Sequence, residues 1–353
     1  MREPNPEKLN ELVGKLVGDL GVSLAGASIL LGDRLGLYKA MDDGAPVTPS
    51  ELARKTSLHE RYVREWLCGQ AASGYVDYNS EKDAFSLSPE QAMTFAEEGS
   101  PAFFAGAFDV VQSTYLDEPK VEEAFRTGKG VGWHEHSKCL FSGTERFFRP
   151  GYNANLVSNW IPALDGVEEK LQAGAKVADV GCGHGASTLV MAQAYPKSEF
   201  FGFDYHGPSI ERARTLAQDA GVGDRITFMQ TRAKDFPGHG FDLVAFFDCL
   251  HDMGDPVGAG KHVKEALADD GTWMIVEPFA HDQLKDNLNP VGRIFYNAST
   301  FICTPASLSQ EGALGLGAQA GEYRLRQVAT EAGFRRFRRA TETPFNMIFE
   351  VRA

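Results

Sequence analysis

The sequence predicts a doubly wound α/β domain that follows a smaller helical domain, and three features of the chain support this fold class. From about Leu171 onward, short apolar runs alternate with helical stretches, which is typical of a parallel sheet covered by helices. The segment VADVGCGHGAST, residues 177–188, places a glycine-rich turn directly after the first of these runs. The first 100 residues instead follow the pattern of consecutive helices and a hairpin.

Composition limits the class of protein. The 353 residues are 43% apolar and 24% charged, with a net charge of −13, which is typical of a soluble globular protein with room for two domains. The first 20 residues are polar and charged at both ends, and we expect neither a signal peptide nor a membrane span, hence a cytoplasmic location. The five cysteines are odd in number and widely spaced, which predicts free, buried thiols.

Residues 1–100 are predicted to form a winged-helix dimerisation domain. Apolar residues between Leu9 and Leu20 recur at helical spacing, and the dense run SLAGASILL indicates a helix buried in a core or against a second subunit. Thr48 and Ser57 each begin a capping box, so two short helices should follow each other across a tight turn. The segments YVDY and AFSL, with NSEKD between them, predict a hairpin.

A winged helix can bind DNA or can serve as a packing and dimerisation module. Residues 1–100 contain 10 Lys and Arg against 16 Asp and Glu, a net charge of −6. The predicted recognition helix mixes Glu60, Arg61, Arg64 and Glu65. Because non-specific DNA affinity comes mainly from neutralising phosphates, the packing role is favoured, and no nucleic acid or membrane partner is expected.

Residues 101–165 are predicted to form a helical linker and substrate lid. The segment is rich in aromatic residues, which usually form a core but can also line an apolar pocket. We expect Trp133, Phe147 and Tyr152 to contact the substrate. The cluster HEH at 134–136 is interpreted as a solvated loop rather than a metal site.

Residues 166–353 are predicted to form the α/β domain. Five candidate strands occur in order, in the segments KVADVG, EFFGFD, ITFMQ, DLVAFFDCL and TWMIVEP. Two further strand-like runs, FRRFRRATET and FNMIFEVRA, end the chain and are joined at Pro344. The arginines of FRRFRR are interpreted as a solvated surface, since they are local to an acidic protein.

The glycine turn and the acids around it predict the ligand. The spacing is GxGxG, and Asp179 precedes it; this carboxylate would repel a pyrophosphate but could accept hydrogen bonds from an ammonium group. Asp204 ends the second strand about 20 residues later, where an acid can bind ribose hydroxyls. Asp235 could accept from an exocyclic amine, with Phe236 as an apolar face. An adenosine with an amino-acid tail fits all three positions.

These segments resemble the motifs of class I S-adenosylmethionine-dependent methyltransferases: DVGCGHG is similar to the first motif, FGFD to the second, and KDF to the adenine-side acidic position. The resemblance implies a Rossmann-like seven-stranded methyltransferase sheet ending in an antiparallel pair, with S-adenosylmethionine as cofactor. With its winged helix, the chain also resembles small-molecule O-methyltransferases, which implies a homodimer. The cofactor-binding residues expected on this basis are Asp179, Gly181, Cys182, Gly183, Gly185, Asp204, Tyr205, Asp235, Phe236 and Asp248.

Two residues are expected to carry the chemistry. His251 follows the fourth strand, at the edge where ligands bind in doubly wound folds. Its segment is similar to the LHDW segment of the O-methyltransferases, whose histidine is the general base, although Met253 replaces the tryptophan. Glu277 ends the fifth strand and by resemblance orients the base or contacts the substrate, with a loop-stabilising role as the alternative. The family's further acidic residue is not identifiable in this sequence.

Two other functions remain open at this stage. One is a DNA-binding regulator that uses the second domain only to sense the cofactor. The other is a metal-dependent methylation at carbon, with His251, Asp252 and His281 as ligands, because two histidines and a carboxylate can hold iron. Our principal prediction is methyl transfer to a small, aromatic or apolar molecule without a metal. The sequence does not identify the acceptor or the atom that is methylated.

Overall fold

The computed structural model describes residues 3–353. The chain divides into two compact units, Met1–Gln112 and Ser113–Ala353.

The first unit has the predicted order of helices followed by a hairpin. The strands pair antiparallel through Tyr78 and Phe85, and Val47 adds a bridge to Phe85. The unit contains helices α1 (Pro6–Arg34), α2 (Pro49–Thr56), α3 (Glu60–Ala72) and α4 (Pro89–Phe95), strands β1 (Asp77–Asn79) and β2 (Ala84–Ser86), and the start of α5 (Ala107–Thr127).

Helix boundaries in this unit agree with one of the two predicted capping boxes. Thr48 caps α2, and the Glu51 side chain returns the hydrogen bond. Ser57 does not begin the next helix: it adopts a left-handed backbone with a φ of 57° and ends α2. The side chain of His59 caps α3 instead. The prediction for Ser57 was wrong because the same residue closes the preceding helix.

The core of the first unit forms around Tyr38. Its ring stacks on Phe95 at 5.0 Å and meets Trp66 edge-on at 4.9 Å, while its hydroxyl donates to Gln70. From α1, only residues toward the C-terminal end join this core: Ala25, Gly26, Ile29, Leu30 and Gly32 are buried. Four of these five residues belong to the run SLAGASILL, so the burial predicted for that run is confirmed.

Residues 6–24 of α1 are almost entirely exposed. The exposed apolar side chains are Leu9, Leu12, Val13, Leu16, Val17, Leu20, Val22 and Leu24. By length and composition α1 could cross a membrane, with a mean hydropathy of 1.4 over its most apolar window, of which 11% is buried. This corrects the expectation that no segment reaches that length. Helices that pack in soluble proteins pass the same test, so the finding is weak by itself.

The second unit begins with helices and continues into a seven-stranded sheet. The helices, after the end of α5, are α6 (Cys139–Asn155), α7 (Val167–Ala173), α8 (Ala186–Ala194), α9 (Gly207–Asp219), α10 (Pro256–Ala266), α11 (Pro290–Phe301), α12 (Cys303–Leu308) and α13 (Gly321–Glu331). The strands are β3 (Lys176–Val180), β4 (Glu199–Asp204), β5 (Ile226–Gln230), β6 (Phe241–Phe247), β7 (Leu267–Pro278), β8 (Arg336–Glu342) and β9 (Asn346–Arg352).

The strand order β5-β4-β3-β6-β7-β9-β8 confirms the doubly wound fold class. Strands β3 to β7 pair in parallel, and β9 and β8 add the antiparallel pair at one edge. The chain moves outward from β3 to β5 and then returns to β6 beside β3. A crevice opens where the order reverses, at the carboxyl ends of the strands, and this is where such folds bind ligands.

Both faces of the sheet are covered, which explains why its strands are nearly continuous apolar runs. One cluster joins Leu171, Met191 and Ile210 to the sheet, and the other joins Val263 and Leu325 to the opposite face. Two arginines of β8 are ion-paired: Arg338 with Asp165 and Glu350, and Arg339 with Glu322 and Glu342. These pairs agree with the surface interpretation of FRRFRR.

Candidate active site

A cavity of about 880 Å³ lies at the carboxyl ends of the strands in the second unit. The glycine turn after β3, the end of β4 and the end of β6 supply one wall. Aromatic residues from the segment before the sheet supply another: Trp133, Phe141, Phe148 and Tyr152. The crevice that the topology creates is therefore closed into a pocket by the 113–165 segment.

The glycine turn uses left-handed backbone at three positions, Gly181, Gly183 and Gly185, with φ values of 77°, 52° and 77°. Gly181 and Gly183 line the cavity together with Cys182. A Cβ on Gly181 would approach Cys249 Sγ to 2.7 Å, whereas one on Gly183 would meet nothing within 4 Å. Gly183 thus leaves its backbone open to a ligand. Gly185 is not on the wall; its missing side chain makes room for Phe228.

Asp204 connects β4 to the glycine turn. Its Oδ2 accepts the backbone N–H of Gly183 at 2.9 Å, and its Oδ1 accepts that of His206 at 2.8 Å. Burial raises the pKa of Asp204. The carboxylate lies on the cavity wall with Tyr205 beside it, so the structure brings together the turn and the acid that the sequence assigned to the ribose.

Asp179 lies elsewhere than the sequence suggested. It is fully buried and absent from the cavity wall. Its Oδ2 accepts the hydroxyls of Ser187 and Thr188 at 2.6 Å each, which attaches β3 to the start of α8, while its Oδ1 is buried without a partner. Burial raises the pKa of this carboxyl to about 6. A direct contact between Asp179 and a ligand amine does not agree with this placement.

Three other predicted contacts are also off the wall. Phe236 is buried in the core and stacks on Phe203 at 5.0 Å. Asp235 is exposed and does not line the cavity, whereas Thr231 to Lys234 do. Phe147 does not line it, but its neighbour Phe148 does. Each was placed by spacing along the chain, which does not determine the side of the backbone on which a side chain lies.

Asp248 lines the cavity just after β6, with a left-handed φ of 50°. The Tyr152 hydroxyl donates to its Oδ2 at 3.3 Å, and the Asn346 amide donates to its Oδ1 at 2.8 Å. Burial raises the pKa of Asp248 well above its usual range, and the nearby Glu277 charge adds to the effect. Asn346 lies almost 100 residues from Asp248, and no local sequence signal connects them.

His251 and Glu277 meet as the sequence suggested. Glu277 Oε2 lies 2.5 Å from His251 Nδ1, and Glu277 Oε1 accepts the N–H of Leu250 at 3.0 Å. Burial alone would lower the pKa of His251, but the carboxylates of Glu277 and Asp252 outweigh it, so the pKa lies well above its usual value. Both side chains are buried, and neither is on the cavity wall. Glu277 therefore contacts the imidazole on the nitrogen opposite the one that faces Asp252.

Asp252 lies between His251 and the cavity. Its Oδ1 is 3.2 Å from His251 Nε2, and Asp252 itself lines the wall. The Sγ of Cys303 lies close to both His251 and Asp252, since the donor atoms of these three side chains are within 4.8 Å of one another. Burial raises the pKa of Asp252. The sequence suggested a role for Asp252 only as a metal ligand and no role in the site for Cys303, which comes from a distant helix.

His281 does not join this cluster. Its backbone N–H donates to Asn287, and its ring packs edge-on against Phe279 at 5.2 Å. Across residues 3–353, the group whose donor atoms could hold a metal ion is His251, Asp252 and Cys303. The ligand set predicted for the metal-dependent alternative was therefore wrong in its third member.

The segment HEH is solvated only in part, because His134 and Glu135 are exposed while the third residue is not. His136 is buried, and its Nδ1 lies 3.1 Å from Asp117 Oδ2. Asp117 also accepts from Lys120 and from Ser137. Burial opposes ionisation of Asp117, but these hydrogen bonds outweigh it and lower its pKa to about 2. This network fixes the turn that carries Trp133 and His134 to the cavity wall.

Comparison with known proteins agrees with this geometry. Residues 171–321 match the family model described as a methyltransferase domain, and residues 23–96 match an Rv2258c-like winged HTH domain. A 27-O-demethylrifamycin SV methyltransferase from Amycolatopsis mediterranei is 34% identical over 143 residues, which are 40% of this chain and 44% of that protein. The chain spans less than half the length of the first curated relatives that it matches.

Solved structures match over nearly the whole chain. The mitomycin 7-O-methyltransferase MmcR has a TM-score of 0.70 at 18% identity, covering 98% of this chain and all of that one. Human N-acetylserotonin methyltransferase, in complex with SAM, has a TM-score of 0.69 at 15% identity, and the match covers 100% of this chain and 99% of that one. At these identities the likeness shows the fold.

Residues 171–321 therefore contain a methyltransferase domain, which follows an N-terminal winged HTH domain at residues 23–96. Among the solved structures with this fold, human N-acetylserotonin methyltransferase is in complex with SAM and PigF is with SAH.

The buried carboxyl of Asp179 should make the free energy of unfolding depend on pH. Because its pKa is about 6 in the folded chain and about 4 in the unfolded chain, the folded state binds the proton more tightly. Stability is thus lost as pH rises from about 4 to about 6, by about 3 kcal/mol in all. In Asp179→Asn this loss should disappear, so wild type should lose stability relative to the variant over that range. Urea unfolding of the free protein between pH 4 and pH 7 measures the difference.

Asp235→Asn, which removes an exposed carboxyl, controls for the change in net charge. A stability difference between wild type and Asp179→Asn that stays constant across this pH range would contradict the prediction.

Proposed function

We propose that this protein transfers a methyl group from S-adenosylmethionine to a small, aromatic or apolar molecule bound in the cavity. The observation that carries the proposal is that one cavity is lined by the glycine turn with Asp204 and also by Asp252, behind which His251 lies. A cradle for an adenosyl ligand and a proton-accepting cluster are thus in one pocket. The sulfonium of the cofactor supplies an activated methyl group, so the protein mainly has to position the nucleophile.

The charge of the cavity favours this cofactor. The acidic residues on the wall are Glu145, Asp204, Asp248, Asp252, Asp255 and Glu311, against the basic Arg232 and Lys234. Such an excess attracts a cationic ligand. We infer that Asp248, rather than the buried Asp179, binds the ammonium group, because Asp248 is on the wall beside the glycine turn. Asp204 would bind the ribose hydroxyls with its remaining lone pairs.

The aromatic wall supports an apolar acceptor. Trp133 and Phe141 pack edge-on at 5.6 Å, and Phe148 stacks parallel to Tyr152 at 6.1 Å. Apolar pockets with a few polar groups are typical of small-molecule sites, and a volume near the upper end of their usual range of about 300–1,000 Å³ leaves room for a second ligand.

The proton of an acceptor hydroxyl would leave through Asp252. The charges of Glu277 and Asp252 favour a protonated His251, so Asp252 is the member of the cluster with an open acceptor position at the cavity. In the proposed step Asp252 takes the proton while the oxygen forms its bond to the methyl carbon. His251 and Glu277 act as positioning residues: they hold Asp252 and share the proton.

Cofactor binding is the first test. Calorimetric titration with S-adenosylmethionine and S-adenosylhomocysteine should show binding of both to wild type. Asp204→Asn should weaken it by about 10- to 100-fold, because a charge-assisted hydrogen bond contributes about 1.5–3 kcal/mol. Asp235→Asn, at the exposed position off the wall, should bind as wild type does. If Asp235→Asn loses binding and Asp204→Asn keeps it, the cradle is assigned wrongly.

Turnover tests the proton-accepting cluster. With an acceptor identified by screening phenols, catechols and thiols, both Asp252→Asn and His251→Gln should lower kcat by about 10²- to 10⁴-fold. Their affinity for S-adenosylhomocysteine should stay within error of wild type. The exposed His239→Ala serves as the control and should keep full activity. Unchanged turnover in Asp252→Asn with loss in His251→Gln would show that His251 meets the acceptor directly.

The winged-helix unit is proposed to serve dimerisation rather than DNA binding. On α3, the helix that would read DNA, Arg61 pairs with Glu65, and Arg64 pairs with Asp83. These arginines are therefore already paired with carboxylates, and a DNA phosphate would have to displace those carboxylates in order to bind.

The exposed part of α1 is the proposed dimer contact. Residues 6–24 extend about 28 Å as a helix, and a Cβ on Gly14, Gly18 or Gly21 would meet nothing within 4 Å. Each glycine costs a helix about 1 kcal/mol, and isolated helices of this length are marginal in water. The three- and four-residue spacing of the leucines is the pattern of helix-to-helix packing. A second copy of this chain is the proposed occupant.

Light scattering should therefore give the mass of two chains. A Leu12→Lys, Leu16→Lys double variant should give the mass of one, because charges would replace two side chains that are 55% and 56% exposed in the single chain. Tyr62→Lys, at an 80% exposed position of the same unit, is the matched control and should stay dimeric. A monomeric wild type that floats with phosphatidylcholine vesicles would contradict the proposal and favour a membrane contact.

A further inference from the structure

Three side chains of different chemistry converge just behind the cavity wall. The donor atoms of His251, Asp252 and Cys303 all lie within 4.8 Å of one another. One ion bound at about 2.0–2.3 Å from each donor needs only small side-chain adjustments to fit that spacing. In addition, Asp252 Oδ1 is buried and lies 3.2 Å from His251 Nε2, in a contact that does not have the geometry of a hydrogen bond. A buried carboxylate oxygen needs a compensating group, and a cation bound to both atoms would supply one.

We propose that His251, Asp252 and Cys303 form a binding site for a single zinc-like divalent cation, with its fourth position open toward the cavity. One imidazole nitrogen, one carboxylate oxygen and one thiolate sulfur are the donors that Zn²⁺ takes in tetrahedral sites. Ca²⁺ and Mg²⁺ prefer oxygen donors and higher coordination numbers, so this donor set selects against them.

The surroundings of the histidine match those of a metal ligand. Glu277 Oε2 contacts His251 Nδ1 at 2.5 Å, which leaves Nε2 directed at Asp252. A carboxylate on the far nitrogen is the usual partner of a metal-bound histidine, because it fixes the ring and increases its donor strength.

The ligands are on well-fixed elements. His251 and Asp252 belong to the turn 250–252 after β6, and Cys303 begins α12. The Ser307 hydroxyl donates to the carbonyl of Met253 at 2.8 Å, and the Gln310 amide donates to the carbonyl of Asp252 at 2.8 Å. These bonds hold α12 and the residues after it against the turn, so the cluster does not depend on a flexible loop.

Binding of the cation releases protons from the site. Cys303 is buried and free of a disulfide, and a cysteine in such surroundings holds the thiol form. Forming the bond between sulfur and the cation releases that proton to solvent, and an imidazolium at His251 releases another when Nε2 binds. Because Asp252 lines the cavity, the cation can enter and the protons can leave by that route.

The consequence for catalysis rests on the proposed function. A cation held by Asp252 and His251 occupies the carboxylate and the nitrogen that would receive the acceptor's proton. Bound Zn²⁺ should therefore inhibit methyl transfer, and a chelator should restore it.

The site itself is tested by Co²⁺ without any measurement of activity. Tag-free protein titrated with Co²⁺ should develop the near-ultraviolet charge-transfer absorption of a cobalt thiolate, saturating at one ion per chain. Cys303→Ser and Cys303→Ala should lack the absorption. They should also weaken calorimetric Zn²⁺ binding by about tenfold or more. Cys68→Ser, at an exposed cysteine in the other unit, should retain both. Absorption that persists in both Cys303 variants, or that is absent from wild type, would overturn the proposal.

Inhibition is measured separately on the enzyme. Zn²⁺ should inhibit wild type and Cys68→Ser at concentrations about tenfold or more below those needed for Cys303→Ser. If the cobalt absorption appears but no methyl acceptor is found, the metal site stands while the proposed function fails. Equal inhibition of wild type and Cys303→Ser would overturn the inhibitory role.

Discussion

The parallel arrangement of β3, β4, β6 and β7 is the constraint on which the site depends. Parallel strands end at the same edge, so the residues that follow them are forced together. In this chain, four of those strand ends carry carboxyl groups: Asp179 in β3, Asp204 in β4, Asp248 after β6 and Glu277 in β7. The topology therefore concentrates carboxyl groups at the wall of one cavity and just behind it, and much of the local structure stabilises them.

Each carboxyl group is stabilised by donors from a different source. Hydroxyl groups at the start of α8 donate hydrogen bonds to Asp179, and backbone N–H groups of the glycine turn and of His206 donate to Asp204. The Asn346 amide donates to Asp248. Glu277 contacts the imidazole of His251. Compensation is incomplete, because burial still raises the pKa of Asp179, Asp204 and Asp248. A cavity with this residual charge favours cations.

The sequence predicted the backbone of this arrangement well and its side-chain contacts less well. The doubly wound sheet follows from the alternation of apolar runs and helices, and the glycine turn follows from its own sequence, so the fold class and the place of the site were predictable. The orientation of the Asp179, Asp235 and Phe236 side chains was not predictable, because spacing along the chain does not determine the direction in which a side chain points. The contacts of Asn346 and Cys303 could not be predicted for another reason. Each residue is far along the chain from the residues it approaches, so no local sequence signal connects them.

Two kinds of cation can exploit the same residual charge at different positions. A sulfonium cofactor carries its charge on a large ligand, so it gains from the long-range field of the wall and from the shape of the glycine turn. A small divalent ion gains little from shape and must find donors at bonding distance. The cavity wall offers carboxylates to both, but only the cluster behind Asp252 adds nitrogen and sulfur donors. Because Asp252 belongs to the wall and to the cluster, a metal ion bound there and a deprotonating acceptor compete for the same oxygen atoms.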